Sequence, residues 1–355
     1  MSKYQITLTP VDKFFFGSGM TFAAKGQEEE FKNQFVSYII ESTMFPQQTS
    51  LLGMLRFLIL RNAGDKVFKD GKIVDKSEAK KLIGERSFMV NNNNDFKSIK
   101  AIGHVRIRRI TKDQTSDFEF SPLFKELNLE KTSVGSYNLH EISIPQLTKE
   151  EYDAKKGLDL TLTDGVNTLS LDDVFVQDRR VGINRDIKTG KVEDSALFKQ
   201  ISYRFNNNNA DYCFIFDAEI NDNVELYKYS GQVVSVGGDN SQFVIGINKD
   251  INANVNIESF DKALWLLSPT FLTREEARMA KFAVTRLMPF RFLKSEMDKV
   301  KSYNVLSKEL VRSERYELYA PGSVFYFESE GQKQEFAIII ESKKEFRQIG
   351  YNEYK

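Results

Sequence analysis

The chain has 355 residues, 41% of them hydrophobic and 28% charged, a composition that excludes a disordered tail and leaves room for two domains. Fifty Lys and Arg balance 50 Asp and Glu, which argues against a free-standing DNA-coating protein but leaves room for a local RNA groove of clustered charge. The single cysteine, Cys213, excludes an internal disulfide framework or a multi-cysteine zinc site.

The N-terminus, Met1-Ser2-Lys3-Tyr4-Gln5, lacks the apolar stretch of a signal peptide. Tyr4 to Pro10 alternates with period two and predicts a strand. It runs into Phe14-Phe15-Phe16-Gly17-Ser18-Gly19, a loop whose glycines let backbone approach a ligand closely. After Pro46-Gln47-Gln48, Thr49 or Ser50 is the expected N-cap of a mostly buried helix over Leu51 to Arg61. That apolar run is too short to span a membrane and is interrupted by Arg56. A cytoplasmic location without membrane attachment is therefore expected.

Further on, His104-Val105-Arg106-Ile107-Arg108 alternates, with Val105 and Ile107 toward a core and His104, Arg106 and Arg108 sharing the opposite face. Thr148-Lys149-Glu150-Glu151 reads as the capping box of a short helix ending at Gly157. Phe175 to Ile183 predicts a strand, followed by a turn at Thr189-Gly190. The Asn runs at 91–94 and 206–209 read as loop tips, and a fresh strand from Tyr212 to Ile220, with Cys213 as a small buried hydrophobe, follows the second. A domain boundary is placed there, giving units of 1–207 and 208–355.

The second unit opens on a hairpin around Val233 to Asn240 returning through Phe243-Val244-Ile245. Leu264 to Pro269 predicts a short buried strand. Thr273-Arg274-Glu275-Glu276 reads as a capping box opening a helix that stops at Pro289. Ser323 to Phe327 and Phe336 to Ile340 are expected to pair across Glu330-Gly331-Gln332. The economical fold is α+β: two ferredoxin-like (RRM-like, split βαβ) domains in tandem, with insertions.

Catalytic signals are sparse. Only His104 and His140 are present, and no HExxH, GxSxG, P-loop or CxxC occurs. His104 beside Arg106 and Arg108 is the arrangement a metal-independent ribonuclease would want, although a histidine sharing a basic binding face fits better. Carboxylate pairs such as Asp172-Asp173 or Asp217/Glu219 read as solvated surface rather than a metal site. The basic clusters say more. Lys281, Arg286, Arg291 and Lys294 are interleaved with Phe282, Phe290 and Phe292, and from Asp178 to Lys191 five basic residues face two acidic ones. Arginines fork onto phosphate oxygens and aromatic faces stack unpaired bases. Gly17, Gly19, Gly237, Gly238 and Gly350 sit beside strands, where backbone amides can meet phosphates.

The order of these short motifs resembles a family, the third subunit of the type III-B CRISPR (Cmr) complex within the RAMP superfamily. The resemblance runs through Thr9-Pro10-Val11-Asp12, Phe16-Gly17-Ser18-Gly19, Phe45 to Arg56, Arg179-Arg180-Val181-Gly182-Ile183, Ala196-Leu197-Phe198, Gly237-Gly238-Asp239, Leu264 to Thr270 and Pro321 to Phe325. It implies two ferredoxin-like domains and no nuclease activity, cofactor or metal. It also implies a hetero-oligomer in which the chain grips the 5′ handle of the guide RNA. Its neighbours there would be the large polymerase/cyclase-like subunit and the first repeated backbone RAMP subunit.

By carry-over, the RNA-binding positions are Phe16, Gly17, Ser18, Gly19, Gln48, Thr49, Arg56, Arg179, Arg180 and Arg185, with Gly237 and Gly238 in the matching turn. The basic readings add His104, Arg106, Arg108, Arg286 and Arg291. This sequence departs from the family pattern in two places. The C-terminal glycine loop is reduced to Ile349-Gly350-Tyr351-Asn352, and Gly237-Gly238-Asp239-Asn240 lacks an arginine. The 62–100 insert itself resembles no known motif. Three alternatives remain: a RAMP endoribonuclease using His104, the equivalent type III-A subunit, and a protein–protein adaptor that touches no RNA.

Overall fold

The computed structural model of the chain describes residues 1–17, 21–22, 38–90, 94–123, 126–131, 137–143, 159–185, 189, 192–249, 262–297 and 311–355. The expected capping box at 148–151 lies outside them.

The alternation at the N-terminus forms the strand Ser2–Pro10, which buries Tyr4, Ile6 and Leu8. It lies between Asp211–Ile220 and Gln242–Lys249, antiparallel to both. Beyond Asp211–Ile220 runs Arg106–Ile110, again antiparallel, followed by Thr115–Phe120. Among the described residues this sheet has nine strands. Numbered by chain position, its four inner strands lie second, third, first, fourth, an order consistent with a ferredoxin-like unit. Helix α1 (Gln48–Arg61) follows the first strand and drives Leu51, Leu55, Leu58 and Ile59 into the same core as Phe214, Phe216 and Phe243.

The inner sheet takes two strands from each side of residue 207, and the turn Asn206–Asn209 lies between Val192–Phe205 and Asp211–Ile220. The Asn run is the loop tip the composition suggests. The loop leads from Val192–Phe205, in the hairpin sheet, into Asp211–Ile220 at the centre of the nine-stranded sheet.

The N-cap of α1 is Gln47, not Thr49 or Ser50, and its side chain makes no capping bond. The Tyr351 hydroxyl instead meets the backbone amides of Gln48 and Thr49. A tertiary contact thus satisfies the amides that a local cap would otherwise serve.

Phe175–Arg185 pairs with Val192–Phe205 as a long hairpin, which Tyr38–Glu41 extends in parallel. The Val233–Ser235 and Gln242–Lys249 hairpin forms as expected.

In the C-terminal part, Val324–Tyr326 lies between Ala263–Trp265 and Phe282–Val284. The last residues close onto the outer side of Ala263–Trp265, where Trp265 and Lys355 exchange backbone bonds of 2.9 and 3.0 Å. Two expectations fail in this part. The capping box at Thr273 is real, but its helix is the single turn Arg274–Ala277, because Phe282–Val284 is drawn into the sheet. Phe336 to Ile340 is not a strand but part of the helix Glu330–Ser342, burying Phe336 and Ile340 four residues apart. Among the described residues no helix is long and apolar enough to cross a membrane.

Candidate nucleic-acid interface

Two glycine turns, 220 residues apart in sequence, are locked together. Phe15 donates its amide to Ser241 Oγ at 2.8 Å and accepts from the Gly238 amide at 2.7 Å. Gly237 has φ +88°, and a Cβ there would lie 2.5 Å from the Phe15 carbonyl oxygen, so the position requires glycine on both counts. The loop is pinned from the other side as well: Phe16 donates its amide to Ser42 Oγ at 2.8 Å, and Thr43 donates to the Gly17 carbonyl at 3.2 Å. The Phe16 ring stacks on Phe243 at 5.9 Å and meets Phe214 edge-on at 5.6 Å. It is a packing ring, not an open platform for a base. Ser18 and Gly19 lie outside the described residues.

The basic hairpin borders these turns. Gln200, opposite Arg180 across the hairpin, hydrogen-bonds the Asp239 carboxylate of the glycine turn. Asp178 receives Lys13 at 3.0 Å, and the Arg180 guanidinium lies 3.7 Å away. Arg179 donates twice to Gln177 Oε1, at 3.0 and 2.8 Å. Both arginines are exposed, which leaves donors that can fork onto phosphate oxygens beside the turns. Arg185 ends the strand, but its side chain lies outside the description. The sequence reading missed Lys13; its place one residue before the Phe14 loop was the available signal.

Other expected contacts lie elsewhere, in the interior. Gln48 is buried and donates to the carbonyls of Gly103 and Gly350, both at 3.0 Å. A Cβ at Gly350 would lie 2.4 Å from the Gln48 amide, so this glycine serves close packing and does not display its amide. Half-buried Thr49 faces the Tyr351 hydroxyl. Arg56 is buried and donates to the carbonyls of Ile83 at 3.0 Å and Gly84 at 3.2 Å, the end of helix α2 (Lys76–Ile83). A cation at a helix C-terminus is favoured by the helix dipole.

The face shared by His104, Arg106 and Arg108 exists, but it is not an open basic surface. Arg106 is buried and pairs with Asp217 at 2.6 Å. Arg108 forks onto Asp117 at 2.7 and 3.0 Å and reaches Gln5 at 2.9 Å. Burial pushes the His104 ring down to about 3, with Arg106 and Lys355 adding to the shift. Its Nε2 has no hydrogen-bond partner among the described residues.

The carboxylates are similarly occupied. Asp217 serves Arg106, Glu219 lies 3.5 Å from Lys3, and Asp173 completes a capping box with Ser170. Among the described residues no group of three His, Cys, Asp or Glu could hold a metal ion. Cys213 is buried as expected, its thiol raised to about 11 chiefly by desolvation. Arg286 and Arg291 are exposed, on a separate C-terminal ribbon.

A mixed α+β fold of this build defines the class, a RAMP-like protein. The chain matches the family described as CRISPR-associated protein (Cas_Cmr3) over residues 6–155 and 148–354, and it belongs to that family. It is thus a non-catalytic RAMP subunit of the type III-B Cmr kind. Among solved structures it is similar in fold to a chain of the type III-B Cmr-beta complex bound to cognate target RNA, solved by cryo-EM. The two are 12% identical with a TM-score of 0.53, over 99% of this chain and 96% of that one. A chain of the same type of complex with target RNA and AMPPnP, in state 1, is 13% identical with a TM-score of 0.52, over 98% and 94%. No curated protein matches the sequence.

Proposed function

We propose that this chain grips the 5′ handle of the guide RNA in a cytoplasmic type III-B complex and bridges the large polymerase/cyclase-like subunit to the repeated backbone subunit. The observation that carries the reading is the Phe14–Gly17 loop locked to the Gly237–Gly238 turn, with Arg179 and Arg180 exposed beside them. The two glycine motifs are far apart in sequence and meet at one place, as a backbone cradle for phosphates would require. The reading assigns RNA contact to Gly17, Gly237, Gly238, Arg179 and Arg180, with Ser18, Gly19 and Arg185 as their sequence neighbours. Gln48, Thr49, Arg56, Arg106 and Arg108 become supports of the fold.

The C-terminal strands, numbered by chain position with the closing residues as fourth, lie fourth, first, third, second. That order supports a second, reduced ferredoxin-like unit, with the boundary between Lys249 and Lys262. The endoribonuclease reading needs His104 to exchange protons near neutral pH, and a ring held near 3 stays neutral there.

The test is to co-express the chain with its neighbouring subunits, purify by a tag on it, and sequence the RNA recovered. Short RNAs sharing one constant 5′ segment are expected. Replacing Arg179 and Arg180 by Ala should weaken binding of a handle-bearing RNA and reduce the slope of log affinity against log salt by about 1.4, at roughly 0.7 per phosphate contact on a single strand. An unchanged slope would remove the hairpin from the interface.

A further inference from the structure

The structure assigns a second contact surface, distinct from the glycine turns: the outer face of the C-terminal ribbon docks an acidic, apolar-centred protein surface. The inference rests on the proposed place in a multi-subunit complex, but not on the handle site itself. The ribbon pairs Leu287–Phe290 with Tyr316–Tyr319, and Leu293–Lys294 with Val311–Arg312. Its side chains alternate cleanly. Phe290 and Phe292 turn inward, are almost fully buried, and pack on Tyr316, Phe88 and each other. Leu287, Arg291 and Leu293 turn outward, and the two leucines remain 50% and 49% exposed.

Charge on this ribbon is uncompensated. Exposed Arg286 and Arg291 lie on one strand segment, and exposed Arg312 and Arg315 on the other. Arg312 stands directly across from Leu293. Lys294 is neutralised by Glu314 at 3.2 Å, but among the described residues no carboxylate lies within 4 Å of any of these four arginines. The acid left over on this stretch is Glu317.

The chemistry separates protein from nucleic acid. Single-stranded RNA is held by guanidinium groups together with exposed aromatic faces. Here the rings that the sequence interleaves with arginine are consumed by the core, and what faces outward between the arginines is leucine. Half-exposed leucines flanked by arginines need apolar side chains and carboxylates opposite them. Arginine is also enriched in protein interfaces relative to the rest of the surface, whereas lysine is depleted there.

The experiment combines Arg291→Glu with Arg315→Glu, and separately makes Leu293→Ser, a milder change on the same face. Each variant is co-expressed with the other protein subunits, treated with ribonuclease and recovered by a tag on this chain. The isolated chain is also titrated with a handle-bearing RNA. Expected is at least a tenfold loss of one protein subunit from the double variant and a smaller loss from Leu293→Ser, with RNA affinity of the isolated chain unchanged within twofold. Full retention of every subunit by both variants overturns the proposal. So does RNA affinity that falls while the subunits stay, since the ribbon would then be a nucleic-acid surface. Failure of the handle reading has a different signature, an isolated wild-type chain that does not bind the RNA.

Discussion

At the scale of single residues, basic side chains divide by what surrounds them, and sequence patterns report that poorly. Arg56 sits in an apolar helix, a position equally suited to a phosphate contact or an internal support. The two carbonyls it serves belong to a helix end 27 and 28 residues away. Replacing Arg56 by Met should cost about 2 kcal/mol, because hydrogen bonds from a charged donor are worth roughly 1.5–3 kcal/mol and the buried carbonyls lose their partner. Urea unfolding measures that loss, and RNA affinity of the folded variant should stay at the wild-type level. His104 behaves differently. The folded ring refuses a proton that the unfolded ring accepts below its ordinary value of 6.5, so its contribution is complete above that pH and is lost as pH falls toward about 3. Asp217 and Glu119, whose carboxyls burial raises, act in the opposite sense on the same sheet face. The comparison must therefore be between proteins. His104→Phe should lose stability less steeply than wild type between pH 6 and 4, by up to about 1.4 kcal/mol per pH unit. Parallel stability curves would mean that the ring titrates normally in the folded chain.

At the scale of elements, the Gly237 turn makes the sharpest prediction. A Cβ at Gly237 meets the Phe15 carbonyl at 2.5 Å, and its φ of +88° strains any L side chain. Gly237→Ala should therefore destabilise the chain by about 1–3 kcal/mol and weaken handle binding by spreading the two turns. Gly231→Ala is the control: it shares the positive φ at +83°, but no atom lies within 4 Å of its added Cβ. It should leave RNA affinity intact. Ser2–Pro10 was legible because period two carries the assignment without tertiary help. Phe336 to Ile340 was not. A five-residue apolar run is ambiguous between strand and buried helix, and Ser329 Oγ accepting the Gln332 amide as N-cap decides for helix. The segment after Thr273 failed for the opposite reason: a sound local start signal was overridden when Phe282–Val284 found a strand partner. The same limit applied to the site. Each glycine motif was visible alone, but their meeting depends on strand order, which no local pattern encodes.

At the scale of the whole molecule, the 62–100 insert ties helix α1 to the C-terminal part of the chain. Arg56 anchors its helix end to α1. Gly84, at φ +79°, then turns the chain so tightly that a Cβ would lie 2.0 Å from the Asp95 carbonyl oxygen. The following residues run antiparallel to the C-terminal unit, with Arg86 bridging Glu296, the Ser87 amide on the Ser295 carbonyl and the Met297 amide on the Glu85 carbonyl, both at 2.9 Å. Phe88 drives its ring, 1% exposed, against Phe292 at 5.0 Å and Phe346 at 5.4 Å. The other end of α1 is tied as well, through Gln48 to Gly350. With both ends of one helix tied in this way, the two parts of the chain are expected to unfold together. Phe88→Ala should cost about 3–5 kcal/mol, as large-to-small changes of buried Phe do, and should also loosen the contact of the insert with Phe292 and Phe346. Trp265 is the single tryptophan, fully buried in the C-terminal unit, so its fluorescence reports that unit alone, whereas far-UV circular dichroism reports both. In wild type the two urea transitions should coincide. In Phe88→Ala the fluorescence transition should come first, because the smaller unit loses the larger share of its packing. Coincident but shifted transitions would show that the remaining ties, such as Gln48 to Gly350 and Ile102 to Gln348, suffice to couple the two parts, and would confine the insert to a local packing role.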